Sequence, residues 1–381
     1  MLKTVFSRSF FAAAIGVSAL SAAAAQETIK IGAVYPMTGP IADDGASISK
    51  GSRLALKQFN DAGGLKGQKI ELAIEDGACI PAQSVLAAEK LVSADRVKAL
   101  LGAFCSSSTG AVMNVAQKYK VPFVAGISTA PDLTERGNRY LFRIPATSAM
   151  LSNSFAEVIM QRAGGKRIAF LVVNDDWGRS IAATYAKALQ KYGAEVVGTQ
   201  IFNASDTDLF PYITNVKGAR PDAVILAANT ANAVSLTEQV KQMGLNVPLI
   251  GEGSFTAKTY YDLVGTKGDG IYGLVGFMLA FDNPINKSFI EAYRKEHGEV
   301  PNQYSAAGYN EMLVILGAMK SAGTADPEAV RDAIEKGTTE GIAGPVKFTP
   351  KGQGYGFSVF LTQNEKAAPK LVSSVEIAKP E

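Results

Sequence analysis

Apolar and polar positions along the chain switch repeatedly between two periods. Residues 28–35 (TIKIGAVY) form a short apolar run, whereas over 46–61 Ile48, Leu54, Ala55 and Phe59 recur at the near-helical spacing of one helix face. Gly63 and Gly64 then stop that helix. The pattern predicts further strands at 69–75, 97–104 and 122–127, with helices at 81–93 and 109–119 between them. After the stretch 140–145 the alternation resumes, with helices at 149–162, 181–192, 209–217, 231–243 and 256–263 and strands at 167–173, 195–202, 223–227 and 248–251. Apolar strands separated by amphipathic helices predict parallel sheets covered on both faces, and hence an α/β protein of two doubly wound lobes.

From about Ile271 the order changes. A strand through Met278 precedes three helices, at 287–296, 304–320 and 328–336, and then two late strands, at 346–349 and 356–362. A tail holding both helices and strands after two lobes are complete implies that the chain crosses back between them, and several crossings make a hinge. No heptad, solenoid or low-complexity repeat is present.

The first 25 residues have a different grammar. Lys3 and Arg8 precede an apolar run from Phe10 to Leu20 and a small-residue stretch ending at Ala25. This is the order of a secretory signal with an Ala-x-Ala cleavage site, predicted to leave Gln26 first. The apolar run is well short of the roughly 20 residues that span a bilayer. No cysteine follows it to carry a lipid. Removing 25 of 381 residues leaves 356, more than one hydrophobic core usually organises. Because the signal carries both Lys3 and Arg8 and no acid, the basic-to-acidic balance falls from 38 against 35 to 36 against 35. That near-neutral surface offers no bulk attraction to nucleic acid or anionic lipid. No later stretch is long and apolar enough to cross a membrane. Export places Cys79 and Cys105 in an oxidising compartment, where pairing would contribute roughly 3 kcal/mol; two buried free thiols are the alternative.

Open α/β sheets bind ligands at the carboxyl ends of their strands, beside helix N-termini whose N–H groups suit an anion. Three predicted strand ends are polar: Cys105 to Thr109, Ser128 with Thr129, and Glu252. Hydroxyls beside a helix start suit a carboxylate, and Glu252 supplies the opposite charge for an ammonium group. Taken singly, each has an ordinary reading: a helix cap for Ser106 to Thr109, a turn before Pro131, an exposed loop acid. Enzyme chemistry finds no foothold. His297, the only histidine, falls at the end of a predicted helix, where a surface position is expected. The sequence has no Gly-x-Ser-x-Gly elbow, no phosphate loop and no metal-spaced cluster. The chain is therefore read as a binding protein with no cofactor and no metal.

The runs 31–40 (IGAVYPMTGP), 60–67 (NDAGGLKG), 101–109 (LGAFCSSST) and 132–137 (DLTERG) resemble the leucine/isoleucine/valine-binding proteins of ABC transporters, and the similarity extends over essentially the whole chain after the signal. The resemblance implies a type I periplasmic binding protein with a Venus-flytrap fold and three hinge crossings, near Pro145, Gly276 and Gly354. It implies an N-terminal lobe of 26–146 plus 277–354 and a C-terminal lobe of 147–276 plus 355–381. It further implies that Ser106 and Thr129 hold the ligand carboxylate with the backbone of Ile127 beside them. Glu252 would pair with an α-ammonium, Trp177 would close over the ligand, and Cys79 would pair with Cys105. Phe104 and Tyr304 would wall the pocket, with Asn229 at the second-lobe strand end. The expected protein is a periplasmic monomer that hands a small amino acid or related carboxylate to the membrane permease of an ABC transporter.

Two departures reopen the ligand side chain. The family tends to carry an aromatic residue where this chain has Asp44, and often tyrosine near Asn229 and Thr230. Asp44 either bonds a polar or cationic ligand group or faces solvent beside Asp43. Aromatic acids, amides and urea-like compounds are the alternative ligands, and sensing is the alternative to transport; the lack of a transmembrane stretch favours transport.

Overall fold

The computed structural model describes residue 1 and residues 28–380, so the signal read over residues 1–25 lies, Met1 apart, outside the described residues. The chain opens with β1 (Ile29–Tyr35), α1 (Ala42–Asp61), β2 (Ile70–Asp76), α2 (Pro81–Ser93), β3 (Leu100–Gly102), α3 (Ser106–Tyr119), β4 (Phe123–Ala125), α4 (Asp132–Glu135) and β5 (Leu141–Arg143). These five strands form one parallel sheet in the order β2-β1-β3-β4-β5.

A second set follows: α5 (Ser148–Ala163), β6 (Arg167–Val173), α6 (Asp176–Gln190), β7 (Glu195–Phe202), α7 (Phe210–Gly218), β8 (Ala223–Ala227), α8 (Thr230–Gln242), β9 (Leu249–Glu252), α9 (Lys258–Val264) and β10 (Tyr272–Val275). The tail supplies α10 (Pro284–His297), α11 (Gln303–Ala322), α12 (Pro327–Lys336), β11 (Thr339–Gly341), β12 (Gly344–Phe348), β13 (Gly354–Tyr355), β14 (Ser358–Glu365) and β15 (Ala368–Glu376). The second sheet runs β15-β14-β10-β9-β8-β6-β7, and β11, β12 and β13 form a small third sheet.

The expected two-lobed α/β architecture is present, and the reason is local. Strands such as β6, buried from Ile168 to Val173, cannot be left wet on either face. Helices with polar caps cover them: Thr147 caps α5, Asp175 caps α6 and Asn229 caps α8, each accepting a backbone N–H. The parallel sheets are those expected, and the second sheet adds two antiparallel strands at one edge. There β14 runs antiparallel to β10, and β15 antiparallel to β14. The periodicity does not predict β15, nor α4, β11 and β13; the residues of β15 are all exposed or half-buried, without the apolar run that marks a strand.

The chain passes from the first sheet to the second between β5 and α5, returns between β10 and α10, and passes over again between β13 and β14. On its return α11 packs along α1. Glycines permit the close approach: a Cβ on Gly51 would sit 1.9 Å from Ser305 O, and one on Gly308 2.1 Å from Ile48 O. At the first crossing the fully buried Arg143 joins three segments. Its Nε donates to Gln353 Oε1 at 2.8 Å, and its Nη groups donate to Ala130 O and, at 2.5 Å, to Thr134 Oγ1. Burial pulls the guanidinium down to about 9, with Asp132 and Glu135 opposing. Gln353 Nε2 in turn donates to Pro145 O at 3.0 Å, tying the first and third crossings together.

Among the described residues no helix is long and apolar enough to cross a membrane, and no cluster of metal-ligating side chains occurs. His297 is half-buried rather than on the surface, its ring centroid 4.5 Å from that of Tyr293.

Candidate functional site

Strand ends from both sheets open into one cleft of about 390 Å³, and all nine candidate ligand residues line it: Asp44, Phe104, Ser106, Ile127, Thr129, Trp177, Asn229, Glu252 and Tyr304. Each arrives on an element whose local sequence fixes it. Ser106 is the first residue of α3, three residues earlier than the helix expected at 109–119. The helix cap is Cys105, without a side-chain cap bond, so the plain capping reading of Ser106 does not hold. The opening N–H groups of α3 therefore lack helical acceptors beside the cleft, as at any helix start.

Cys105 is bridged to Cys79, with their Cα atoms 5.5 Å apart, which removes the free-thiol alternative. The bridge ties the loop after β2 to the start of α3 at the cleft edge. That loop is held from the other side as well: Asp76 accepts from Met37 N at 2.9 Å, Thr38 Oγ1 at 2.5 Å and Ala78 N at 2.8 Å.

Thr129 follows β4 on a strap that buried polar groups hold in place. Ser128 Oγ lies 2.6 Å from Thr109 Oγ1 and donates to Phe104 O at 2.8 Å, while Ser106 Oγ accepts from Ala130 N at 3.3 Å. Under the start of the strap, Gly126 N donates to Glu311 Oε1 at 2.6 Å and the Tyr35 hydroxyl to Glu311 Oε2 at 2.8 Å. Burial pushes the Glu311 carboxyl up to about 8, against the pull of those two bonds.

Glu252 ends β9, one residue past the predicted strand, and is buried. Thr129 Oγ1 donates to its Oε1 at 3.2 Å across the cleft, and the Tyr185 hydroxyl donates to Oε2 at 3.1 Å. Burial pushes its carboxyl up to about 7, opposed by hydrogen bonds from Tyr185, Trp177 and Thr129. Trp177 lines the same cleft because α6 begins at Asp176, not at 181, which places it on the first turn.

Asp44 lies in the first turn of α1 and is 2% exposed, so the solvent-facing alternative is excluded. Its Oδ2 accepts from Thr230 Oγ1 at 2.9 Å, a second polar contact spanning the cleft. Burial pushes this carboxyl up to about 7, with Thr230 opposing and Asp43 adding to the rise. Phe104 and Tyr304 pack as a wall, ring centroids 5.2 Å apart with their planes tilted by 44°, and the Tyr304 hydroxyl lies 3.4 Å from Ser254 Oγ. Asn229 lines the cleft, but its side-chain oxygen is engaged by Asn232 N at 2.9 Å as the cap of α8.

Sequence reasoning does not single out Thr230, Tyr185, Ser254 or Glu311 as contacts. Tyr185 and Glu311 sit on helix faces that read as ordinary periodic positions. Thr230 is visible only as a neighbour of Asn229. The arrangement offers a helix start and hydroxyls for an anion at one place, a buried acid for a cation directly across, and an aromatic wall with a second acid beside it.

A family model described as periplasmic binding protein matches residues 28–368. The leucine-, isoleucine-, valine-, threonine- and alanine-binding protein of Pseudomonas aeruginosa is 32% identical over 358 residues, covering 93% of this chain and 95% of that protein. The Leu/Ile/Val-binding protein of Escherichia coli K12 is 25% identical over 345 residues, covering 90% and 93%. Among solved structures, the branched-chain amino acid transporter substrate binding protein of Streptococcus pneumoniae in complex with isoleucine is similar with a TM-score of 0.83 at 25% identity, over 93% of this chain and 100% of that one. A solute binding protein of R. palustris in complex with benzoate has a TM-score of 0.86 at 18% identity, over 93% and 98%.

Proposed function

The chain belongs to the periplasmic binding protein family, and from that premise we propose that it is the substrate-binding component of an ABC importer for a small amino acid. In this reading it is exported by the signal at 1–25, works in the periplasm as a monomer, and presents its ligand to the membrane permease. Residues 26–146 with 277–354 form one closing lobe, and 147–276 with 355–381 the other.

One observation carries the reading. Thr129 from the first sheet and Glu252 from the second meet at 3.2 Å in the cleft that also receives Ser106 and the start of α3. An α-amino acid presents a carboxylate and an ammonium on adjacent atoms, which is what those facing groups complement. The carboxylate docks on Ser106, Thr129 and the Ile127 backbone. Its ammonium takes the Glu252 oxygen now held by Thr129, and Trp177 covers it. Phe104, Tyr304 and Asn229 wall the rest. Contacts completed only when both lobes meet shift the population to the closed form, whose surface the permease reads.

A thermal-shift screen over amino acids, amides and aromatic acids tests this, because a ligand at 100 times its Kd stabilises by about 2.7 kcal/mol. An α-amino acid is expected to give the largest shift, and Ser106→Ala and Glu252→Gln are expected to reduce it. A best hit that lacks an ammonium and ignores Glu252→Gln would overturn the amino-acid reading. Deletion of the gene separates transport, which loses uptake, from sensing, which loses a response.

A further inference from the structure

Glu311, on α11, is 0% exposed and does not line the cleft, yet it holds one end of the strap that does. Gly126, the residue before Ile127, donates its N–H to Glu311 Oε1 at 2.6 Å. The other end of the strap is fixed independently: Ala130 N donates to Ser106 Oγ at 3.3 Å, and Ala130 O accepts from Arg143. Between those two anchors lie only Ile127, Ser128 and Thr129. Two of the three are the strap residues read as meeting the ligand carboxylate.

The second oxygen of Glu311 enters a chain of hydroxyls. Tyr35 Oη lies 2.8 Å from Glu311 Oε2 and 2.8 Å from Ser52 Oγ, and Ser52 Oγ donates to Gly308 O at 3.0 Å. Two proton arrangements satisfy this chain. With Glu311 ionised, Tyr35 donates to it. With Glu311 neutral, its own O–H donates to Tyr35, Tyr35 donates to Ser52 and Ser52 to the carbonyl, while Oε1 still accepts from Gly126. The surroundings favour the neutral form. Among the described residues no lysine or arginine acts on Glu311: Arg53 of α1 acts on Tyr35, and Arg143 is balanced by Asp132 and Glu135. A ligand carboxylate on Ile127 and Thr129 would add a second negative charge beside a strap already bonded to Glu311, and like charges in a buried setting resist ionising together.

We propose that Glu311 is a positioning residue for the ligand carboxylate, holding the strap as a neutral acid, so that ligand binding is coupled to retention of its proton. The proposal rests on the placement of the carboxylate at Ser106, Thr129 and Ile127. Burial sets the Glu311 carboxyl at about 8, and a bound carboxylate raises it further. Affinity is therefore full below that value and falls as pH rises through it.

Calorimetric titration of the mature protein from pH 7 to pH 9 tests this, with the protein amino acid that gives the largest thermal shift as the probe. At pH 7 Glu311→Gln is expected to bind within about threefold of wild type, because an amide still accepts from Gly126 and donates to Tyr35. By pH 9 wild-type affinity is expected to fall relative to Glu311→Gln by up to about tenfold, one pH unit beyond the ionisation. The ligand ammonium, Glu252 and Asp44 titrate in both proteins and cancel in that ratio. Glu311→Leu removes the acceptor of the Gly126 N–H and is expected to weaken binding about tenfold or more at pH 7. A ratio that stays flat from pH 7 to pH 9, a Glu311→Gln variant about tenfold weaker at pH 7, or full affinity in Glu311→Leu would overturn the proposal. If Glu311→Leu misfolds, the Glu311→Gln profile decides alone. A probe whose binding ignores Ser106→Ala, or the failure of every amino acid to bind, would instead overturn the reading beneath it.

Discussion

Replacing Glu252 with glutamine should stabilise the ligand-free protein and cripple its ligand binding at the same time. The side chain is 5% exposed, and burial lifts its carboxyl from 4.5 to about 7. In the folded state the group keeps its proton to higher pH than it does unfolded. Its contribution is therefore fully present below pH 4.5 and is lost as pH rises through about 7. At 1.36 kcal/mol per pH unit, that shift amounts to about 3 kcal/mol between the two ends of the window. A glutamine side chain does not titrate, and the hydroxyls of Thr129 and Tyr185 can rotate to serve an amide. Urea unfolding of the ligand-free protein should show wild type and variant nearly equal at about pH 4.5, with the variant ahead by up to about 3 kcal/mol at pH 8. Calorimetry at pH 7 should show the variant's affinity for the best amino acid reduced about 100-fold, the scale of about 3 kcal/mol for a broken buried charge pair. A variant that loses equal stability at both pH values would refute the desolvation argument. Undiminished affinity would remove Glu252 from the ammonium.

Three further outcomes follow from the same contacts. Ser106→Ala should leave the fold unchanged by circular dichroism and weaken ligand binding about tenfold, the loss of one hydrogen bond to a charged group; unaltered affinity would place the carboxylate elsewhere. Replacing Cys79 and Cys105 together by alanine should lower the unfolding free energy by roughly 3 kcal/mol and loosen the start of α3, so affinity falls along with the urea midpoint; a drop in stability with affinity untouched would separate the bridge from the site. A Cβ at position 126 would lie 2.7 Å from Glu311 Cγ and Oε1, so Gly126→Ala should cost about 1–3 kcal/mol and weaken binding through the strap that follows; an unchanged melting temperature would show that Glu311 yields freely.

Much of this molecule is legible in its amino-acid order. Strands such as 167–173 and 223–227 are apolar enough to demand cover on both faces, and those two segments are strands with the predicted bounds. The polar residues at the ends of such strands mark the site, because a doubly wound sheet aims those ends at a common cleft. Where the sequence misleads, it does so for stated reasons. β15 is an edge strand, defined by its ladder to β14 rather than by an apolar run. The start of α6 is expected too late because Trp177 and its polar neighbours fall outside the apolar stripe that signals the helix.

The sequence by itself determined the two lobes, the cysteine pair as a candidate bridge, and the residue types able to hold a carboxylate and an ammonium. These follow from periodicity and strand-end chemistry, which are properties of short segments. Only the tertiary structure decided which way Asp44 points. A side chain in the first turn of a helix can face water or core with the same local pattern, and the partner that fixes it, Thr230, is 186 residues away at the start of α8, beyond a strand of the other sheet. The same holds for Glu252, whose donors Thr129 and Tyr185 come from the strap after β4 and from α6, and for Arg143, which joins the 130–134 strap to Gln353. Long-range pairing of buried polar groups leaves no period in the sequence, because the energy that selects it arises only when both partners leave water together.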